Sequence, residues 1–293
     1  MAVLIDPPRW PAHGTLWAHL VSDTSLAELH DFAARCELPR RAFDLDHYDV
    51  PAARHAELVA AGAEPVDGHE LVRRLRGSGL RVRAAERPAR TALALRWTEL
   101  APEDPRTGEE LAARWSEPHR VYHGIDHLRA VLDRLELLAD GGEPVSRETR
   151  LAAWFHDAVH RGTSPDDEQA SAELATELLG PVTGTGTAEE VARLVRLTAT
   201  HEPAEDDAAG RALCDADLGV LGGDAEEYGA YTEQVRAEYA HVPEADFRRG
   251  RAEILRRLLE RPRIFHTATG RRLWEVPARA NLAREIAALD AAG

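Results

Sequence analysis

Between Tyr122 and Asp217 the chain carries four pieces of metal-binding chemistry in a fixed order. They are Tyr122-His123-Gly124-Ile125-Asp126-His127, Trp154-Phe155-His156-Asp157, His201, and Asp215-Ala216-Asp217. His123 and His127 are four apart, so a helix through both would project their imidazoles from one face, one turn apart. His156 and Asp157 follow Leu151, Trp154 and Phe155, whose spacing marks a buried helical face. A bare carboxylate beside a core is costly unless it meets an ion pair, a metal ion or a proton. The chain contains no lysine, and the nearest arginine, Arg161, stands four residues on, so a metal is the better partner. A set of His, His-Asp and a later Asp mixes nitrogen and oxygen donors and leaves room for water. Such sets suit divalent Mn, Fe, Co, Ni or Mg better than a closed tetrahedral zinc site, which more often uses cysteine.

These motifs resemble the HD superfamily of metal-dependent phosphohydrolases, with Tyr-His-x-x-x-His similar to its cyclic-nucleotide phosphodiesterase branch. The resemblance is to an uncharacterised bacterial branch and spans about residues 92 to 290, with further matches at Asp167-Glu168, Ser171-Ala172, Asp215 to Gly222 and Val235 to Tyr239. It implies an all-α HD fold, one or two divalent ions per chain, and hydrolysis of a small phosphomonoester or phosphodiester by metal-activated water, a nucleotide being one candidate substrate. It also implies His127, His156, Asp157 and Asp217 as metal ligands, with Asp157 bridging if two ions are present, and Asp215 orienting a ligand or water. His123 matches the position of a proton donor to the leaving alkoxide, the alternatives being a plain ligand or a core histidine. His201 is either a ligand to a second metal or a charge at a helix C-terminus. Glu168 is expected to face the site. Arg120, then Arg236 or Arg251, are the candidate phosphate contacts, and His119, His160, His241 and His266 read as structural or surface residues. Two other classes remain open. One is a di-iron oxygenase, which wants more histidines than the two, His160 and His201, that lie between the His156-Asp157 pair and Asp217. The other is a metal-stabilised sensing or binding module.

The elements that must hold these residues read as helix after helix. Ile125, Leu128, Val131, Leu132, Leu135 and Leu138 fall at helical spacing. Ser164-Pro165 opens another helix, Thr187 to Glu190 and Asp224 to Glu227 are capping boxes, and Phe247 to Leu259 marks one more, stopped near Pro262. Gly184 to Thr187 reads as a loop. Residues 1–85 differ, predicting a small α/β domain of order β-α-β-α-α-β with a parallel sheet, joined through a linker at 86–91 to an all-α domain over 92–293. Its strands are expected at Ala2 to Ile5, Arg41 to Leu45 and Leu80 to Arg83, with a loop from Arg9 to Asp23. Helices are expected after Ser25, from Pro51 to Ala61, and after Asp67. Asp6, His13, His19, Asp23, Asp44, Asp46, His47 and Asp49 stand out there, either as a second polar site that could use a metal or as turn caps. The stretches Asp6 to Trp10 and His47 to Pro51 resemble a small bacterial family catalogued as domain of unknown function 4031.

At 293 residues the chain can bury a large core. Its net charge of −15 is concentrated in the second part: residues 1–90 carry 13 acidic residues and 12 Arg, the remainder 38 and 24. That sign of field argues against duplex nucleic acid as a partner, while metal ions and local arginines leave a small phosphate ester open. Cys36 and Cys214 are too few for a disulfide framework and read as small apolar residues in a reducing compartment. With no membrane-length apolar run and no basic-then-apolar leader, a cytoplasmic protein is expected.

Overall fold

The computed structural model describes residues 2–12, 15–82 and 87–291, and its chain divides into two compact units, 1–113 and 114–293. His13 and Arg83 lie outside the described residues. The first unit runs β1 (Val3–Ile5), β2 (Trp10–Ala12), β3 (Thr15–Ser22), α1 (Leu26–Arg35), β4 (Phe43–Asp44), β5 (His47–Pro51), α2 (Ala52–Ala60), β6 (Glu64–Pro65), α3 (Gly68–Gly77), α4 (Arg87–Leu100) and α5 (Pro105–Arg114). The strands form one mixed sheet of order β4-β5-β3-β1-β6, with β2 paired to β3.

The sheet corrects the expected parallel arrangement. Only β1 and β6 pair in parallel; β1–β3, β2–β3, β3–β5 and β4–β5 are antiparallel. The expected loop from Arg9 to Asp23 is instead the β2–β3 hairpin, because Thr15-Leu-Trp-Ala-His-Leu-Val alternates and is rich in the residues that fit a pleated surface. Glu64–Pro65 takes the parallel position expected of Leu80 to Arg83, and Leu80 to Val82 have no strand geometry. The caps hold: Ser25 and Asp67 each accept the backbone N–H three residues on, at 3.1 and 2.9 Å. Val3, Ile5, Ala18, Leu20, Tyr48 and Val50 pack one face against α1 and α2, while Leu4 and Val21 meet Leu71 and Leu75 of α3 on the other.

The linker expected at 86–91 is replaced, from Arg87 on, by the first turns of α4, and the division between units falls later, at 113/114. The reason is that α5 is tied by charge to α1 and to the turn that follows it. Glu109 accepts from Arg40 and lies 2.6 Å from His30, and Arg106 pairs with Asp31 at 2.7 Å.

The second unit is built of helices and the turns between them, with no strand among its described residues, in agreement with the sequence. It comprises α6 (Ile125–Asp140), α7 (Arg147–Phe155), α8 (Asp166–Thr183), α9 (Thr185–Leu197), α10 (Ala208–Leu218), α11 (Ala225–Glu238), α12 (Glu244–Glu260), α13 (Ala268–Gly270) and α14 (Val276–Ala291). The sequence places the start of α9 too late, since Thr185 to Thr187 form its first turn rather than a loop. The core joins the predicted stripe of α6 to Leu151, Trp154 and Phe155 of α7, Val191, Leu194 and Val195 of α9, and Leu213 and Cys214 of α10. Full burial of each such aliphatic side chain stabilises by about 1.5–3 kcal/mol. The five buried leucines and valines of α6 therefore outweigh the cost of burying His127 on the same helix. No helix among the described residues is long and apolar enough to cross a membrane.

Candidate metal centre

Three helices of the second unit bring four donors to one point. His127 comes from the first turn of α6, His156 caps the C-terminus of α7 with Asp157 just beyond it, and Asp217 lies in the last turn of α10. His127 Nε2 faces His156 Nε2 at 3.1 Å and lies 3.2 Å from Asp217 Oδ1 and 3.9 Å from Asp157 Oδ2. His156 Nε2 is 3.3 Å from Asp157 Oδ2 and 3.5 Å from Asp217 Oδ1. Donors at about 2.1 Å from one cation are about 3.0 Å apart along an octahedral edge and about 3.4 Å along a tetrahedral one, so most of these separations are those of ligands sharing an ion. His156 Nδ1 faces Ala153 O at 2.9 Å, so in the neutral ring Nε2 is the lone-pair nitrogen. His127 Nδ1 is buried without a hydrogen-bond partner, so that ring lacks such a brace. The residues present fit a divalent ion.

The electrostatics follow from charges packed in a dry place. Burial pulls His156 down, but the Asp157 and Asp217 carboxylates prevail and hold it up at about 9. Burial leaves His127 below its ordinary value despite Asp217. Burial also opposes ionisation of Asp157 and Asp217, yet the histidines around them overcome it and both are depressed. Rings of Trp115, 5.2 Å from His156, and Tyr122, 4.8 Å from His127, wall the cluster.

His123 is placed differently from its expected position. The helix begins at Ile125 with Gly124 as its cap, so His123 precedes it and does not share a helical face with His127. Its Nδ1 meets Glu238 Oε1 at 2.5 Å, and its ring stacks at 4.3 Å on that of His160, whose Nε2 is 3.2 Å from the same oxygen. Glu238 Oε2 accepts the backbone N–H groups of Val121, Tyr122 and His123 at 2.8, 3.0 and 3.1 Å. Burial opposes ionisation of Glu238, but its bonds to the two histidines keep it strongly depressed; Glu238 and Asp157 in turn raise His123 against burial. Neither partner is foreseen from the sequence, where Glu238 has no role within the Val235 to Tyr239 match and His160 reads as structural or surface.

His201 is not at a helix C-terminus but four residues past α9, in the left-handed backbone region at φ 53°. A non-glycine residue there costs of order 1 kcal/mol or more and persists when its surroundings fix it. Its carbonyl lies 3.3 Å from Arg261 Nη1 and 3.2 Å from His266 Nε2, and its N–H donates to Leu197. So held, its Nε2 meets Asp217 Oδ2 at 2.8 Å, orienting the carboxylate through the oxygen that does not face His127. Asp215 has another task than the expected one. It accepts from the backbone of His266 and Thr267 and from the Thr267 hydroxyl, and burial pushes it up to about 6 against those bonds.

The arginines also separate. Arg120 is buried, and its guanidinium donates to the carbonyls of His123, Asp157 and Ala158 at 3.0, 2.7 and 3.1 Å and to Glu117. Its donors are spent on the scaffold, clamping the Tyr-His turn to the His-Asp turn, rather than offered to a phosphate. Arg236 likewise holds Glu244 and the carbonyls of Tyr239 and Val242. Arg251 alone of the three lines the cleft beside the cluster, paired with Glu285 and the Tyr231 hydroxyl.

That cleft, about 500 Å³, opens on Asp157 and His123 and is walled by Tyr122, Tyr231, Tyr239 and Phe247. Glu168 also lines it: Oε1 accepts from Ser164 at 2.6 Å, and Oε2 is buried without a partner. Asp167 orders the rim through the N–H groups of Arg161 and Thr163 at 2.7 and 2.9 Å.

Residues 3–78 match the family described as Protein of unknown function (DUF4031). No curated protein and no solved structure matches the chain.

Proposed function

We propose that the second unit is a metal-dependent phosphohydrolase acting on a small phosphomonoester or phosphodiester such as a nucleotide. The observation that carries this is the convergence of His127, His156, Asp157 and Asp217 at ligand-edge spacing beside a cleft into which His123 also faces. When bound, a divalent ion such as Mn, Fe, Co, Ni or Mg activates water and polarises a phosphoryl oxygen. His127, His156 and the two carboxylates would hold that ion, and His201 orients Asp217. Glu238 favours the charged form of His123, and His123 delivers a proton to the leaving oxygen across the cleft. Glu238 and the three N–H groups it gathers keep the ring aimed. The aromatic wall takes the apolar part of the substrate, and Arg251 is the arginine that lines the cleft.

A di-iron oxygenase would need the His123, His160 and Glu238 cluster to hold a second ion. The 2.5 Å separation of His123 Nδ1 from Glu238 is that of a hydrogen bond, so this nitrogen and this carboxylate are not arranged as two ligands on one ion. The test is phosphate release from a panel of nucleotides and phosphodiesters in Mn(II) and in chelator, with Asp157→Ala alongside. Turnover that disappears in chelator and in the variant supports the hydrolase. Two irons per chain with no phosphate released would move the oxygenase ahead, and a partner retained by a metal-free variant would favour a sensing module.

A further inference from the structure

The mixed sheet of the first unit carries a second donor set. Alternation along β3 and β5 sends Ala18, Leu20, Tyr48 and Val50 into the core and turns His19, His47 and Asp49 to the opposite face. His19 and Asp49 are directly opposed cross-strand partners, and His47 lies two residues from Asp49 on the same strand. The two imidazoles stand 5.1 Å apart, and one donor atom from each of the three residues lies within 4.8 Å of the others.

Each histidine is braced by a buried carboxylate. Asp6 Oδ2 meets His19 Nδ1 at 3.1 Å, while its other oxygen accepts the His19 backbone N–H at 2.6 Å. Asp46, fully buried, meets His47 Nδ1 at 2.6 Å and accepts from Val82 N at 2.7 Å and Arg81 at 3.2 Å. Engaging Nδ1–H in this way leaves Nε2 as the outward nitrogen on both rings, the carboxylate–histidine arrangement that stands behind metal ligands. His47 Nε2 is 3.4 Å from Asp49 Oδ1. A charge-assisted hydrogen bond would be about 2.7–2.9 Å, whereas two ligands on one ion at about 2.1 Å are about 3.0–3.4 Å apart.

We propose that His19 Nε2, His47 Nε2 and the Asp49 carboxylate bind a divalent transition ion, with Asp6 and Asp46 as positioning residues. Two imidazoles and one carboxylate favour zinc, cobalt or nickel over magnesium or calcium. The Asp49 and His19 side chains are 45% and 27% exposed while that of His47 is 12% exposed, so water or a ligand can reach the site from the Asp49 side.

The test is equilibrium dialysis of the full chain against Co(II) after chelator treatment, read by elemental analysis and by the visible cobalt spectrum. Wild type, His47→Gln, Asp49→Ala and Asp157→Ala are compared, with circular dichroism as the folding check. Asp49→Ala changes a half-exposed side chain and carries the test if His47→Gln fails to fold. Both sheet variants are expected to hold one ion fewer than wild type or to bind it at least tenfold more weakly, while Asp157→Ala keeps that ion. If Asp49→Ala binds as many ions as wild type with the same spectrum and affinity, His47 is an ion-paired imidazolium only and the proposal is overturned. A single ion lost in Asp49→Ala and kept in Asp157→Ala would instead support this site and remove the centre in the helical unit.

Discussion

The two histidine–aspartate clusters are built on opposite plans. In the sheet unit, neighbouring strands present His19, His47 and Asp49 on one face, with Asp49 half-exposed and His47 mostly covered, and buried carboxylates brace the rings. In the helical unit, three helix ends drive His127, His156 and Asp217 into a dry interior, and a backbone carbonyl braces one ring only. A sheet cluster keeps open positions but little environment, which suits binding. A buried cluster beside a cleft has fixed dipoles and excluded water, where electrostatic effects on a reacting group are larger.

This contrast can be broken most severely at the proton carrier. Glu238→Gln and His123→Gln are each expected to lower turnover by about 10²–10⁴-fold while leaving metal content unchanged; unchanged turnover would leave the helical cluster without its chemical partner. Glu238→Gln is also expected to move the basic limb of the pH–rate profile downward, since the carboxylate that raises His123 is gone, a shift that a merely structural role would not produce. A smaller effect is expected of His201→Ala. Loss of the ring that orients Asp217 should weaken metal binding by about 10–100-fold, measured by competition with a chromophoric chelator. Binding as tight as in wild type would show that Asp217 needs no such brace.

The smallest effect sharpens the cleft rim. Burial raises Asp167, but the hydrogen bonds from Thr163 and Arg161 outweigh it and the carboxyl is depressed. A carboxylate whose folded value lies below its ordinary 3.8 stabilises the fold above that pH and loses the contribution as pH falls through the folded value. Asp167→Asn is therefore expected to cost about 1–2 kcal/mol at neutral pH, with the difference from wild type closing in acid. Chemical denaturation at pH 7 and pH 3 measures it, and a difference independent of pH would rule out the charge as its source.

Much of the helical unit is legible in the sequence because its signals are periodic or local. The stripe of α6, the Asp224 cap and the Trp-Phe-His-Asp turn each declare themselves within a few residues. The sheet is harder to read. The β2–β3 hairpin lies in a stretch whose prolines, glycine and scattered Trp and His resemble a loop, and the direction of pairing depends on contacts remote in sequence. In the site, donor types in order point to a mixed nitrogen and oxygen set, and it is the family resemblance that nominates His127, His156, Asp157 and Asp217 from it. The work of Glu238 is hidden, because only tertiary packing brings it 115 residues back to the N–H of His123. Arg120 misleads for the opposite reason: a cation next to the motif looks like a phosphate contact until its donors are found on three carbonyls.

The most direct measurement is anomalous X-ray scattering at the manganese edge from crystals of the full chain grown with Mn(II). The expected result is a peak within ligand distance of His127 Nε2, His156 Nε2, Asp157 and Asp217. Crystals of protein loaded with Mn(II) that show no peak between those residues would contradict the metal centre and, with it, the hydrolase.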